Sequence, residues 1–270
     1  MTPLLLAALL AIGQNRVVNG QVETRPASQP LDREVAALSA LSARGGARWV
    51  GYRIRTLGGH RSFDCVERSR IALEPAGELT ILARFEGGAV VRLRTATPDC
   101  EIDAGGLPVT WLEGVKPDDS AAWLASLIST RPGQSTLSRA TDDGHDRVTR
   151  PALVALAMHE GSGASRALVA IARDHPVSRM RSDALFWLAQ RAGDQAVATI
   201  TAAVDRDPDV EVKRRAVFAL SQLPRDEGVP KLIEVARGNR DASVRRQAMF
   251  WLGQSNDPRA LSFFEQVLLK

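Results

Sequence analysis

The sequence is poor in cysteine, histidine, tyrosine and lysine. Its 270 residues include two cysteines, four histidines, one tyrosine and only four lysines among 35 basic side chains. Neither Cys65 nor Cys100 lies in a Cys-x-x-Cys motif or a Cys/His cluster, which argues against a structural zinc site and a thioredoxin-type redox motif. The sequence contains no GxSxG, Walker, GxGxxG or His-x-x-x-His pattern. We therefore expect no metal, no cofactor and no recognisable catalytic centre.

No hydrophobic run is long enough to cross a membrane. Residues 4–12 are nine consecutive Leu, Ala and Ile residues, a length that matches the apolar core of a signal peptide. Ala11 and Gly13 supply small residues for cleavage before Gln14. We predict a signal peptide over residues 1–13, export to the periplasm, and no membrane span in the mature chain. The alternative is a buried N-terminal helix.

The two cysteines suit an oxidising compartment. A Cys65–Cys100 disulfide would close a loop of about 36 residues, which the chain-entropy estimate values at roughly 4 kcal/mol. The alternative is two buried free thiols.

The residues before position 117 show three successive patterns: a polar segment, a helical spacing of apolar residues, and an alternation typical of strands. Residues 14–30 are polar and contain two prolines, which indicates a solvated linker. Apolar residues at helical spacing predict an amphipathic helix over residues 31–43. Alternating residues then predict strands at 49–55, 79–85 and 90–95, with shorter ones at 70–73 and 109–112. A hairpin turn is expected at Gly87 and Gly88. Residues 31–116 are therefore predicted to be a helix plus a small, mostly antiparallel β-domain that carries the disulfide.

The strongest signal is an internal repeat of 32 residues. In gap-free rows of that length, alanine, phenylalanine, leucine and glutamine each recur three times within seven positions: Ala184, Ala216, Ala248; Phe186, Phe218, Phe250; Leu188, Leu220, Leu252; Gln190, Gln222, Gln254. Each row holds two helical patterns, such as residues 177–190 and 195–204. Pro176 and Pro208 open the first pattern of their rows, and a further helix is expected at 230–237. This period predicts an α-solenoid over residues 142–270, preceded by a capping helix at 120–127 within a 117–141 segment. The fold class is an α+β chain in two parts.

These rows resemble HEAT-like repeats, of the short kind also seen in phycobilisome lyases. The matching residues are 212–222 and 244–254, which follow that family's second-helix pattern of Val-Arg, then Ala, then Leu-Gly. The whole layout also resembles uncharacterised exported HEAT-repeat proteins of the bacterial envelope. The resemblance implies a solenoid that binds a protein or a peptide.

The sequence gives little support for an enzymatic function. HEAT-repeat deoxyhypusine hydroxylases bind two irons through repeated His-Glu pairs, and this chain has one such pair, His159-Glu160. In the 32-residue register, neither residue recurs in the later rows, so no second set of ligands is expected. His159 is predicted to end a helix. We predict a protein that is not an enzyme, with a hydroxylase- or lyase-like HEAT enzyme as the alternative.

Arginines also recur in the repeats. Arg181, Arg214 and Arg245 begin equivalent helices, a pattern that would suit a phosphate backbone. Acidic residues lie within a turn of them, and residues 147–270 hold 19 basic against 14 acidic side chains. We therefore predict an alternating charge network and no nucleic-acid binding.

One position in each repeat departs from the amphipathic pattern. At 100° per residue, Phe186 falls on the polar side of its helix, opposite the core stripe that contains Ala184, Trp187 and Leu188. By resemblance, helices in this position line the inner surface of a HEAT solenoid. We predict a partner-binding surface of aromatic, amide and guanidinium groups: Phe186, Gln190, Arg214, Phe218, Gln222, Arg246, Phe250 and Gln254. The alternative is that each Phe packs between neighbouring repeats.

Overall fold

The computed structural model describes residues 17–57, 77–98, 100–129, 147–191 and 193–269. They form two compact units. The first contains the described residues up to 123 together with 147–151 and 158–160, and the second contains 124–129, 152–157 and those from 161 onward. A small β-region thus precedes a run of consecutive helices, as predicted. The predicted signal peptide, the strand at 70–73 and Cys65 lie outside the described residues.

The described strands of the first unit are β1 (Val17–Val18), β2 (Val22–Pro26), β3 (Arg48–Arg55), β4 (Glu78–Glu86), β5 (Ala89–Ala96), β6 (Ile102–Asp103) and β7 (Val109–Glu113). They form a five-stranded sheet with the strand order β2-β7-β3-β4-β5 and a two-stranded sheet of β1 and β6. β3, β4 and β5 are antiparallel, as predicted. β7 pairs in parallel with both β2 and β3, and β1 pairs in parallel with β6. The predicted antiparallel arrangement therefore holds for β3, β4 and β5, whereas the other three pairings of the described strands are parallel.

The predicted hairpin joins β4 to β5. Gly87 and Gly88 both have positive φ, at 58° and 84°, which is the backbone of a two-residue type I′ turn. Glycine adopts this conformation without the steric cost that a Cβ would add. The turn therefore sets the register in which Glu86 lies opposite Ala89.

The prediction of a linker over residues 14–30 was wrong. β1 and β2 lie inside that segment, and β2 pairs along its whole length with β7, from Val22 opposite Val109 to Pro26 opposite Glu113. β2 is an edge strand with mostly exposed side chains. Charged residues and a proline are tolerated at a sheet edge, where they discourage further pairing, and there they resemble a linker in composition.

The strand residues pack on both sides of the sheet. One cluster gathers Trp49, Leu82, Val109 and Trp111, with the indole N–H of Trp49 donating to the carbonyl of Ala104 at 3.2 Å. Tyr52, also on β3, is buried, and its hydroxyl oxygen accepts a hydrogen bond from the hydroxyl of Ser120 at 3.0 Å. Burial raises the pKa of Tyr52, so this side chain stays a neutral phenol.

Helix α1 (Leu31–Gly45) includes the predicted helix and contains a buried carboxylate. Glu34 is only 4% exposed and accepts hydrogen bonds from the backbone of Ser28 and Gln29, and from the guanidinium of Arg25 at 2.8 Å. Burial alone would raise the pKa of Glu34. These donors outweigh that effect, and the pKa is lowered. The Glu34 carboxylate thus holds the segment that precedes α1 against the first turn of the helix.

The remaining helices of the described residues lie in the segments 117–129, 149–191 and 193–269, and from residue 149 onward consecutive helices are joined by short connections. They are α2 (Pro117–Ser129), α3 (Thr149–Met158), α4 (Ser162–Asp174), α5 (Ser178–Arg191), α6 (Asp194–Arg206), α7 (Val210–Ser221), α8 (Arg225–Gly238), α9 (Ala242–Gln254) and α10 (Pro258–Leu268). Two predicted starts were displaced. α2 begins at Pro117 itself, because a proline suits the first helical turn, where its missing N–H is not needed. α8 begins five residues before Pro230, with Asp226 and Glu227 in a first turn whose dipole favours acidic groups.

The second unit is a solenoid of two layers. α5, α7 and α9 lie side by side in a first layer, and α4, α6, α8 and α10 form a second layer against them. The positions that repeat every 32 residues are its core: Ala184, Ala216 and Ala248 are fully buried, and Leu188, Leu220 and Leu252 are at most 2% exposed. The sequence register thus predicted the interior of the stack correctly.

An ion pair links consecutive repeats inside this unit. The Nε and Nη2 of Arg181 bind the two carboxylate oxygens of Asp207 at 2.8 and 2.9 Å, and its Nη1 donates to the carbonyl of His175. The hydrogen bonds to Asp207 raise the pKa of Arg181. Arg214 and Arg215 pair with Glu211. These contacts are those of the predicted alternating charge network.

Candidate functional site

Five aromatic side chains form a continuous row across the first layer of the solenoid. In order of contact they are Trp187, Phe186, Phe218, Trp251 and Phe250. Their ring centroids are separated by 5.2, 6.0, 5.0 and 5.0 Å. These distances are those of favourable aromatic pairs. We call this set the aromatic row.

The helical repeat explains why the rings meet. Phe186 and Phe218 occupy the same position of neighbouring first-layer helices, and their rings are almost parallel, with 4° between the planes. Each lies two residues from the core stripe, so its ring points along the layer rather than into the core. The next helix carries its phenylalanine at 250, and Trp251 reaches Phe218 first.

Exposure differs along the aromatic row. Phe186 and Phe218 are half-buried, because each is covered by a ring of a neighbouring repeat. Phe250 is 54% exposed. Phe186 and Phe218 therefore pack between neighbouring repeats, which the sequence analysis gave as the alternative to partner binding. Phe250 has the exposure expected of a surface anchor, and a partner's contact with any of the three stays a prediction.

The predicted polar residues surround the aromatic row on the same three helices. Gln190, Gln222 and Gln254 are exposed at the ends of α5, α7 and α9. Arg214 and Arg246 are exposed near the helix starts, and Arg214 Nη1 lies 3.1 Å from Glu211. All eight predicted side chains thus belong to one layer, with apolar rings between polar ends.

A pocket of about 240 Å³ adjoins the row where α7 and α9 end and α8 begins. Gln222, Trp251, Gln254 and Arg225 contribute to its lining, over a floor that includes Leu220 and Leu232. Small-molecule sites usually measure about 300 to 1,000 Å³. A pocket of this size can receive one side chain of a bound polypeptide.

Sequence reasoning missed two members of the aromatic row. Trp187 was assigned to the core stripe, but it is half-buried and packs edge-on against Phe186. Trp251 was not singled out, although it joins Phe218 to Phe250. The signal was a Phe-Trp pair that recurs at 186–187 and 250–251 in the same register.

In the part of the chain that the structure describes, the His159-Glu160 pair belongs to no larger group of metal-ligating side chains. His159 follows the last residue of α3, is fully buried, and has its Nδ1 3.1 Å from the carbonyl oxygen of Glu160. The Glu160 carboxylate lies 3.3 Å from Nε of Arg55. Within the described ranges, no group of three or more His, Cys, Asp or Glu side chains could hold a metal ion. Likewise, none of the described helices has the length and apolar character needed to cross a membrane.

Comparison with known proteins supports the repeat assignment. Residues 197–270 match the family of HEAT repeats, a segment that begins inside α6 and continues through α7, α8, α9 and α10. No curated protein matches the chain. The C-terminal half of the chain therefore contains HEAT-like repeats.

Proposed function

We propose that this chain is an exported scaffold that binds a protein or peptide on the first layer of its solenoid, and that it is not an enzyme. The observation that carries the proposal is the aromatic row, which spans three helices and ends in the exposed ring of Phe250. HEAT repeats are commonly protein-interaction scaffolds, and that coarser role agrees with the matched segment.

The chemistry of the surface suits a polypeptide ligand. Aromatic side chains supply a large apolar contact area with few rotatable bonds, so little conformational entropy is lost when they bind. The exposed amides of Gln222 and Gln254 can each donate to a carbonyl and accept from an N–H, which matches a peptide backbone. The pocket beside them would receive one side chain of the ligand.

A displayed random-peptide library tests this proposal without knowledge of the natural partner. Peptides selected on the whole protein would be synthesised and their affinities measured for the wild type and for Phe250→Ala and Gln254→Ala. We expect a loss of about tenfold or more for Phe250→Ala, as for a typical interface anchor. The matched control is Leu41→Ala, which truncates an equally exposed apolar side chain on α1, in the other unit.

Equal binding to wild type and Phe250→Ala, or the selection of no peptide at all, would contradict the proposed surface. Loss of binding in Leu41→Ala would place the ligand elsewhere. Export rests on the sequence of residues 1–13 alone, and N-terminal sequencing of protein from the periplasmic fraction tests it. We expect the mature chain to begin at Gln14.

A further inference from the structure

The pocket where α7 ends and α8 begins has a counterpart two repeats earlier, which an arginine closes. Arg191, the last residue of α5, reaches residues at the end of α3 and the start of α4. Its Nη1 donates to the carbonyl of Ala157 at 2.8 Å, its Nη2 to the carbonyl of Gly161 at 3.2 Å, and its Nε to the hydroxyl of Ser165 at 3.1 Å. A side chain of the solenoid itself therefore occupies that place.

The residue at this register position becomes smaller along the repeats. It is Arg191 in one row, Leu223 in the next, where it is 5% exposed, and Ser255 in the row after that. The hydroxyl of Ser255 donates to the carbonyl of Leu252 in its own helix at 2.7 Å, so it does not reach across to α7 and α8. Ser255 lines the pocket of about 240 Å³. The pocket is therefore open because a serine stands where an arginine closes the earlier repeat.

The lining of the pocket does not suit a second arginine. Val229 stands in the place of Ser165, so the hydroxyl acceptor is lost. Arg225 stands in the place of Gly161 and adds a guanidinium to the lining. The carbonyl of Arg225 already accepts a hydrogen bond from Nη2 of Arg259 at 2.9 Å. A cationic guest would therefore find fewer acceptors than in the earlier repeat and would meet a charge of the same sign.

The charge of Arg225 is not neutralised by the lining itself. Of the described residues that line the pocket, Arg225 alone carries a charge. The acidic residues nearby are engaged elsewhere. Asp226 and Glu227 line a separate groove between α6 and α8, and both carboxylate oxygens of Asp257 bind the guanidinium of Arg259, at 2.7 and 2.9 Å. The local charge of the pocket therefore favours an anionic guest.

The wall of the pocket also contains a buried hydrogen-bond donor. Trp251 lines the pocket, and its indole Nε1 is buried with no acceptor among the residues that the structure describes. A buried N–H without an acceptor is costly, and an oxygen atom of a ligand would supply the missing bond. The amides of Gln222 and Gln254, which also line the pocket, carry further N–H groups. The lining therefore combines a positive charge with several donors.

We propose that this pocket binds an acidic side chain, aspartate or glutamate, of a polypeptide ligand. A carboxylate oxygen accepts from Nε1 of Trp251, and the carboxylate pairs with the guanidinium of Arg225. The methylene groups of the same side chain contact Leu220 and Leu232, which contribute to the floor. This inference rests on the proposed function, because it names the side chain that a peptide on the aromatic row presents to the pocket beside it.

The probe is N-acetyl-glutamate N-methylamide, titrated into the full-length protein at low ionic strength and followed through the indole N–H signals in nitrogen–proton correlation NMR spectra. The chain has five tryptophans, and Trp251→Phe identifies the signal of Trp251. We expect this signal to move downfield as the N–H gains an acceptor, with a Kd on the order of 1 mM for a ligand of this size. The glutamine analogue has the same shape without the charge and should bind about tenfold more weakly.

Two pairs of protein variants test the lining. Arg225→Gln should weaken binding of the glutamate compound about fivefold, as loss of an exposed ion pair does. Its matched control is Arg173→Gln, which removes an exposed arginine from α4. Ser255→Arg introduces the residue that closes the earlier repeat and should abolish binding, whereas Ser255→Ala leaves the pocket open and should bind as the wild type does. Thermal unfolding of each variant shows whether the fold is kept, and the exposed position of Arg225 keeps that test valid if Ser255→Arg does not fold.

Three results would overturn the proposal: a Trp251 signal that does not move, equal binding of the two compounds, or unchanged binding to Arg225→Gln. The titration is independent of the peptide selection, so the two proposals can fail separately. Selected peptides that depend on Phe250, together with a Trp251 signal that does not respond to the glutamate compound, would remove the acidic-group pocket and keep the scaffold. A signal that moves as expected, without any selected peptide, would keep the pocket and contradict the scaffold.

Discussion

Phe186, Phe218 and Phe250 occupy the same position in three repeats, but their neighbours give them different environments. Phe218 lies between the rings of Phe186 and Trp251, whereas Phe250 has one of its sides open to solvent. Identical residues in a register therefore contribute differently to stability and to binding.

Alanine substitution separates these two contributions. We expect Phe218→Ala to lower the free energy of unfolding by about 2 kcal/mol, roughly half the cost for a fully buried phenylalanine. Phe250→Ala should cost less than about 1 kcal/mol, because its ring is largely solvated. Urea titration of both variants checks the difference. Equal costs would mean that Phe250 is covered in solution.

Glu34 predicts a specific dependence of stability on pH. Its pKa is lower in the folded protein than in the unfolded chain, so the ionised carboxylate stabilises the fold above its ordinary pKa. That stabilisation should be lost as the pH falls from about 5 to about 3. Glu34→Gln should be less stable than the wild type at neutral pH and should lose less stability over this interval. Urea titrations at the two pH values measure these free energies of unfolding. An equal loss of unfolding free energy in the wild type and in Glu34→Gln would contradict the assignment.

The helices were more predictable than the strands, and particular elements show why. The threefold Ala and Leu identities mark core positions directly, because every repeat buries the same face. β2 could not be predicted in this way. Its side chains are mostly exposed, and its pairing with β7 depends on residues far along the chain. Trp251 was missed for a related reason, since its contact with Phe218 arises only when two repeats stack.

Two glycines in helices test the packing between elements. A Cβ on Gly228, at the start of α8, would collide with the carbonyl oxygen of Leu220 at the end of α7. A Cβ on Gly253 of α9 would meet no atom within 4 Å. We expect Gly228→Ala to cost about 1 to 3 kcal/mol through overpacking. Gly253→Ala should gain about 0.5 to 1 kcal/mol from helix propensity. Thermal unfolding of both variants checks that the signs are opposite.

At the scale of the whole molecule, the predicted compartment and the predicted disulfide support each other. Cys100 is 3% exposed, with its Sγ 3.1 Å from the hydroxyl of Thr97, and Cys65 lies outside the described residues. The pairing of the two cysteines therefore stays a prediction of the sequence. The stabilisation by this disulfide would matter most in the β-region, because that region has a limited core.

Thiol titration in denaturant without reductant tests the disulfide. We expect the mature protein to show no free thiol, and Cys65→Ser/Cys100→Ser to lose about 2 to 5 kcal/mol of stability, as is typical when a small domain loses its cross-link. Two reactive thiols in the untreated protein would contradict both the disulfide and an oxidising location.

The pairing of β2 with β7 also has a consequence for folding during synthesis. Val22 lies opposite Val109, so the sheet joins its earliest strands to its last one, and this long-range contact is slow to form. A nascent chain cannot complete the sheet until Glu113 has been synthesised. The solenoid is different, because α6 packs on α7 and α8 on α9, each pair adjacent in sequence. We therefore expect the sheet of the first unit to be completed only after its last strand has been synthesised, whereas the second unit can form helix by helix during translation.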